Sequence, residues 1–233
     1  MIVMGTVLLN ATTARFMAKI LGVFLKKSNG ILIVGASEVS QLISKYLKDN
    51  NRHVVLIDSN QTNIANALNL GLEALTVDIY SDTLKDNIEL NDIGYLMALT
   101  GSSDINRIAI EKFKDDFGEN GAFRLVTNEE KNDPTNNPKE GLFSHTDDFA
   151  LLTHTAQDYP RINEITIKDK KHYKDLINQT VKDKNTIPLF IKDLKGDLTI
   201  LSSFSVENSK VDKGFELIYL GKPIVLKEKS NIE

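Results

Sequence analysis

The chain has 233 residues, 41% of them hydrophobic and 26% charged, which suits a soluble globular protein with one good core or two smaller ones. It has no cysteine, so disulfides, thiolate nucleophiles and cysteine metal sites are excluded, and its four histidines form no ligand pair at helical spacing. The net charge of −4 argues against nucleic acid as a partner.

Residues 1–9 are nearly all apolar, well short of the roughly 20 needed to cross a bilayer. Residues 14–27 have the pattern of an amphipathic helix. Phe16, Ile20, Leu21 and Phe24 share one face, and Arg15, Lys19 and Lys26 mark the other. Two readings stand. One is a helix packed on the body of the protein. The other is the cytoplasmic end of a membrane helix followed by a basic interfacial helix, which would touch the membrane surface. On the second, the chain is the tail of something longer, and residues 1–28 form a separate N-terminal unit.

From about residue 29 to 128, short apolar runs alternate with helical patterns, as in a parallel sheet with helices on both faces. Strands are expected at 31–34, 54–57, 75–77, 95–99 and 123–126. The first helix sets Val39, Leu42, Ile43, Tyr46 and Leu47 on one face. A second is expected over about 61–70, stopping at Gly71, a third over about 81–88, and a fourth over about 104–117, ending at Gly118. The fold class is therefore α/β, a Rossmann-like doubly wound parallel sheet, with a smaller C-terminal β-rich (α+β) domain.

Gly35 follows the first strand, and Asp58 ends the second, 23 positions on. This is the layout of a dinucleotide-binding βαβ unit, where helix N-terminal N–H groups receive phosphate and the acid accepts from ribose hydroxyls. Only the first of three expected glycines is present. Ser37 and Ser40 stand for the other two, and Ser37 brings a hydroxyl able to donate to a phosphate oxygen. Glu38 puts a carboxylate in the first helical turn. At about 6 Å from a phosphate its repulsion would be on the order of 0.7–3 kcal/mol. The same geometry would serve NAD, AMP, ADP, ATP or S-adenosylmethionine. A non-binding Rossmann scaffold, with Asp58 as a turn residue, is the plain alternative.

The segments ILIVGASEVSQLISKYL, HVVLID, Val77-Asp78 and LMALTGSSDINRIAI occur in the order seen in the TrkA-N domain, also called the RCK N-lobe, which this unit resembles. The opening VLLNATTARFMAKILGV is similar to the end of the last membrane helix and the following linker of an NhaP-type sodium/proton antiporter. Together these resemblances imply the nucleotide-sensing regulatory domain of a cation:proton antiporter or potassium transport system. They imply NAD(H) or an adenine nucleotide (AMP, ADP or ATP) as ligand, a membrane transport domain as partner, and a place on the cytoplasmic face of a prokaryotic inner membrane. They put ligand contacts at Gly35, Ser37, Val39, Asp58, Asp78, Thr100 and Asn106, with Glu38 at a position where the family often has Arg.

Residues 129–160 are expected to form a linker, with Pro134, Pro138 and many asparagines, and then a helix begun at Thr146-Asp147-Asp148. Its candidate buried face is Phe149, Leu152, Ala156 and Tyr159. The family resemblance implies that this helix crosses to a partner copy, giving a homodimer. Residues 161–233 are strand-like at 162–167, 187–194, 198–204, 216–220 and 224–226, with a hairpin turn at Lys195-Gly196-Asp197 and one helix near 171–178.

No catalytic residue is assigned. A soluble NAD-linked oxidoreductase is the alternative function, but no Tyr-x-x-x-Lys pair is present to act as its acid/base. A methyltransferase using S-adenosylmethionine is a third reading.

Overall fold

The computed structural model describes residues 28–81, 92–127, 129–130, 140–144, 148–207 and 209–224. The expected N-terminal helix, nearly all of the third helix, most of the linker and the C-terminal end lie outside the described residues.

The first sheet takes its strands from β1 (Gly30–Val34), β2 (Val54–Asp58), β3 (Glu73–Thr76), β4 (Ile93–Ala98), β5 (Gly121–Leu125) and β6 (Gly141–Leu142). All pairs are parallel, in the order β3-β2-β1-β4-β5-β6. This is the doubly wound order, and the chain reverses its winding direction between β1 and β4. The central strands β1, β2 and β4 are nearly all apolar because both faces are covered. Ile31, Ile33, Val54 and Leu56 point into one core, while Leu32, Val34, Val55 and Ile57 point into the other. The first core is closed by α1 (Glu38–Asp49) and α2 (Gln61–Asn69), the second by α3 (Ser103–Phe117).

Each helix starts on a side-chain oxygen. Ser37, Asn60 and Ser102 cap α1, α2 and α3 and accept N–H groups of the first turn. Gly71 ends α2 at φ +72, in the left-handed region that favours glycine.

Helix α4 (Phe149–Asp158) begins on Asp148, whose carboxylate accepts the Leu151 N–H. Leu152 and Ala156 on it are buried, and Phe149 and Tyr159 are half-buried. A second sheet, antiparallel and ordered β7-β10-β8-β9, is built from β7 (Ile162–Thr166), β8 (Thr186–Lys192), β9 (Leu198–Ile200) and β10 (Glu216–Gly221). One face of it joins the first core through Phe190, Leu198, Ile218 and Leu220, so α1 and α4 are sandwiched between the sheets. The other face is closed by α5 (Lys170–Lys182), which buries Tyr173, Leu176 and Ile177 and leaves its lysines in water.

Two elements depart from expectation. The two-residue β6 extends the first sheet from the stretch read as linker. The strand expected over 198–204 stops at Ile200 because a serine turn competes for its backbone. Ser205 accepts the Ser202 N–H at 2.8 Å, and the Ser202 carbonyl accepts the Ser205 N–H at 3.0 Å.

Candidate nucleotide crevice

The carboxyl ends of β1, β2 and β4 meet at a crevice of about 250 Å³, beside the point where the winding reverses. The Gly35 turn forms its floor. Gly35 has φ +101, and a Cβ there would lie 2.9 Å from Thr100 Cγ2 and 3.0 Å from the Leu99 carbonyl oxygen. Only glycine lets the turn pass this close to the end of β4.

Asp58 ties the turn to the second strand. Its Oδ2 accepts the Ala36 N–H at 2.8 Å and the Asn63 side-chain amide at 3.0 Å, and its Oδ1 accepts the Asn60 N–H at 2.9 Å. A carboxylate has about four acceptor sites, so capacity remains for one further donor from the crevice. Buried Gln41 holds the same turn from beneath, donating to the Ala36 carbonyl at 2.8 Å and to that of Asn63 at 3.2 Å.

The other expected residues separate into two groups. Gly35, Ser37, Asp58, Asp78 and Thr100 line the crevice together. Ser37 spends its hydroxyl on the helix cap, 3.0 Å from Ser40 Oγ. Asp78 is exposed and accepts the Tyr80 N–H at 3.0 Å. Asn106, Val39 and Glu38 do not line it. Asn106 is 2% exposed and holds the turn after β4. Its Oδ1 accepts the Thr100 N–H at 3.0 Å and hydroxyl at 2.7 Å, and its Nδ2 donates to the Thr100 and Leu125 carbonyls. Val39 is core, with its side chain in the cluster under the sheet. Glu38 is exposed and lines a different, shallow groove with Lys45 and Pro160. Its carboxylate therefore opposes a phosphate in the crevice less than the sequence alone suggests.

Tyr80 lines the crevice from the turn after β3, and Asn63 and Phe149 line it too, Asn63 unremarked in the sequence and Phe149 expected only on a buried helix face. Asn63 stands five residues after Asp58, so an amide one helical turn past the strand-end acid was the available signal. Phe149 comes from α4, and no local pattern announced its position. Among the described residues no lysine or arginine lines the crevice. The favourable electrostatics a phosphate would meet there come from the N–H groups and dipole at the start of α1.

Beyond Gly101 lies a second cavity of about 430 Å³, at the ends of β4 and β5. Nearby, Arg124 is 6% exposed and pairs with Glu130 at 2.9 Å and Glu140 at 3.4 Å. Burial pushes Glu130 up, but the Arg124 hydrogen bond, the Thr127 N–H and the nearby guanidinium charges outweigh it and hold the carboxyl below its ordinary value. Among the described residues, no cluster of His, Asp and Glu could hold a metal, and no helix is long and apolar enough to cross a membrane.

A doubly wound sheet with a capped glycine turn, a strand-end acid and a crevice at the winding reversal defines a Rossmann-type domain. Residues 31–134 match the family model described as the TrkA-N domain. No curated protein matches the chain. Similar solved structures include a GsuK channel bound to NAD (11% identity, TM-score 0.38, covering 83% of this chain and 37% of that one). The GsuK RCK domain aligns at 11% identity and TM-score 0.36, over 83% of this chain and 45% of that one. N5-carboxyaminoimidazole synthetase from Staphylococcus aureus aligns at 11% identity and TM-score 0.31, over 85% and 48%. The chain thus spans less than half the length of each.

Proposed function

We propose that the crevice binds the adenosine part of a nucleotide, NAD(H) or an adenine mononucleotide, and that this occupancy regulates an attached transporter of monovalent cations. The observation that carries the reading is the bond from the Ala36 N–H to Asp58, which sets the strand-end acid beside the glycine turn with acceptor capacity to spare. In this arrangement a ribose hydroxyl donates to Asp58, and the first N–H groups of α1 receive a phosphate. Gly35, Ser37, Asp58, Asp78 and Thr100 line the site, and Val39 offers its backbone. Asn106 acts as a positioning residue through Thr100.

The TrkA-N match of residues 31–134 and the basic, apolar start of the chain support a regulatory tail on a membrane protein. The partner in this proposal is a cation:proton antiporter or potassium transport domain, at the cytoplasmic face of a prokaryotic membrane, with the tail acting as a homodimer. Regulation requires the ligand to favour one arrangement of that dimer, since equal affinity for both shifts nothing.

Isothermal titration with NAD, NADH, AMP, ADP and ATP tests the binding step. Asp58→Ala should weaken every ligand by about 10–100-fold, the worth of a hydrogen bond to a charged group. Absence of both heat and thermal shift at millimolar ligand in the unaltered protein would overturn the reading.

A further inference from the structure

The crevice and the second cavity adjoin, and three residues line both: Thr100, Gly101 and Phe149. The ring of Phe149 lies against Gly101. A Cβ on Gly101 would stand 3.1 Å from both Phe149 Cδ1 and Cε1, so the absent side chain is what lets the ring settle there. Phe149 is half-buried, packed on the core shared by the two sheets, and fixed to the first turn of α4 by the Asp148 cap. The ring therefore stands as a wall between the two spaces.

The two spaces differ in chemistry from a phosphate site. The crevice holds Asp58 and Asp78, the second cavity holds Glu129 and Asp148, and no basic side chain lines either among the described residues. The start of α1 is the place on the crevice side where a phosphate meets donors. Additional phosphates would face the carboxylates of Asp58 and Asp78, with no basic side chain lining the crevice among the described residues. The second cavity suits a neutral or cationic ring better than an anion.

We propose that Phe149 is the specificity-determining residue of the site. It confines the ligand to an adenine mononucleotide of low phosphate charge and keeps the second ring of a dinucleotide out of the neighbouring cavity. The inference rests on the nucleotide reading given above and narrows its ligand class.

The test compares AMP, ATP and NAD on the full chain and on its Phe149→Ala and Phe149→Leu variants, by titration calorimetry. In the unaltered protein AMP binds at least as tightly as NAD, and ATP binds more weakly than AMP. In Phe149→Ala the cationic nicotinamide ring gains a cavity, so the ratio of NAD affinity to AMP affinity rises about tenfold. Phe149→Leu keeps apolar packing on the core and gains roughly threefold. A cooperative thermal melt shows that each variant is folded. If NAD binds the unaltered protein tenfold more tightly than AMP, or if the NAD-to-AMP ratio is the same in all three proteins, the Phe149 proposal falls and the nucleotide reading stands. If no adenine nucleotide binds any of the three, the parent reading falls and this one with it.

Discussion

Asn106 shows how a side chain can serve a ligand site without touching a ligand. Its amide satisfies four groups: the N–H, hydroxyl and carbonyl of Thr100 and the carbonyl of Leu125. Asn106→Ala strands the Thr100 N–H and two carbonyls in a buried place. The expected loss is about 2–4 kcal/mol, read from urea unfolding. Asn106→Asp is the sharper probe. Its carboxylate keeps the two acceptor bonds but meets the two carbonyls with no proton between them. The folded state therefore favours the protonated acid and raises its pKa above the unfolded value. Its stability is closest to that of the unaltered protein below about pH 4 and falls as pH rises through the folded pKa. Asn106→Ala shows no such pH dependence, and equal pH profiles for the two variants would refute this account. Both Thr100 and Asn106 were visible in the sequence as a polar turn after an apolar strand. That Asn106 is a clamp and Thr100 a lining residue was not, because the difference lies in which of the two is buried. Gln41 was missed for the same reason. On its helix it reads as an ordinary polar residue, and only the close pass of the glycine turn gives its amide two carbonyls to hold.

At the opposite end of the sheet, an ion-paired histidine joins three strands. His53 precedes β2, and its Nδ1 lies 2.8 Å from Asp92, ahead of β4, while its Nε2 lies 3.0 Å from Glu73 on β3. Burial lowers its pKa, but the hydrogen bonds and charges of Glu73 and Asp92 outweigh that and hold it above the ordinary histidine value. A raised folded pKa gives stability that is complete below the unfolded value of about 6.5 and is lost as pH rises through the folded one. The stability gap between the unaltered protein and His53→Gln should therefore be widest near pH 6 and close toward pH 9, as followed by thermal melts in a pH series. A gap that does not change with pH would refute the charged pairing. The central strands around this histidine were legible, because β2 and β4, like β1 between them, are largely apolar runs bounded by turn residues. The edge strand β6 was not legible. Its two residues, Gly141 and Leu142, carry no periodicity and become a strand only by pairing with Arg124 and Leu125. The start of β5 at Gly121 and Ala122 was hidden likewise, since neither residue favours a strand and both are placed by their neighbours on β4.

The two sheets share no strand ladder but are continuous in packing. Phe190 on β8 is fully buried, stacks on Tyr46 of α1 with centroids 6.3 Å apart, and meets Phe143 edge-on at 6.3 Å. At the rim of this contact the Tyr46 hydroxyl donates to Glu164 at 2.6 Å, and Lys192 bridges Glu164 and Glu216 at 3.0 and 2.8 Å. Burial, and then the Glu164 carboxylate, push the Tyr46 hydroxyl well above its ordinary pKa, so it remains a donor. The C-terminal sheet is thus anchored to the same helix whose first turn borders the crevice. A shift of α1 or α4 at the ligand would be felt by the second sheet through packed side chains rather than through a flexible tether. Cooperativity tests this. Phe190→Ala removes a ring shared by both halves and should cost about 3–5 kcal/mol. If the packing is continuous, urea unfolding of the variant stays a single transition with a lower midpoint. Amide hydrogens of β1 and β2 should then lose exchange protection together with those of β8 and β10. Two separated transitions, with protection in the parallel sheet unchanged, would mean that the second sheet is merely attached, and that a ligand in the crevice has no mechanical route to it.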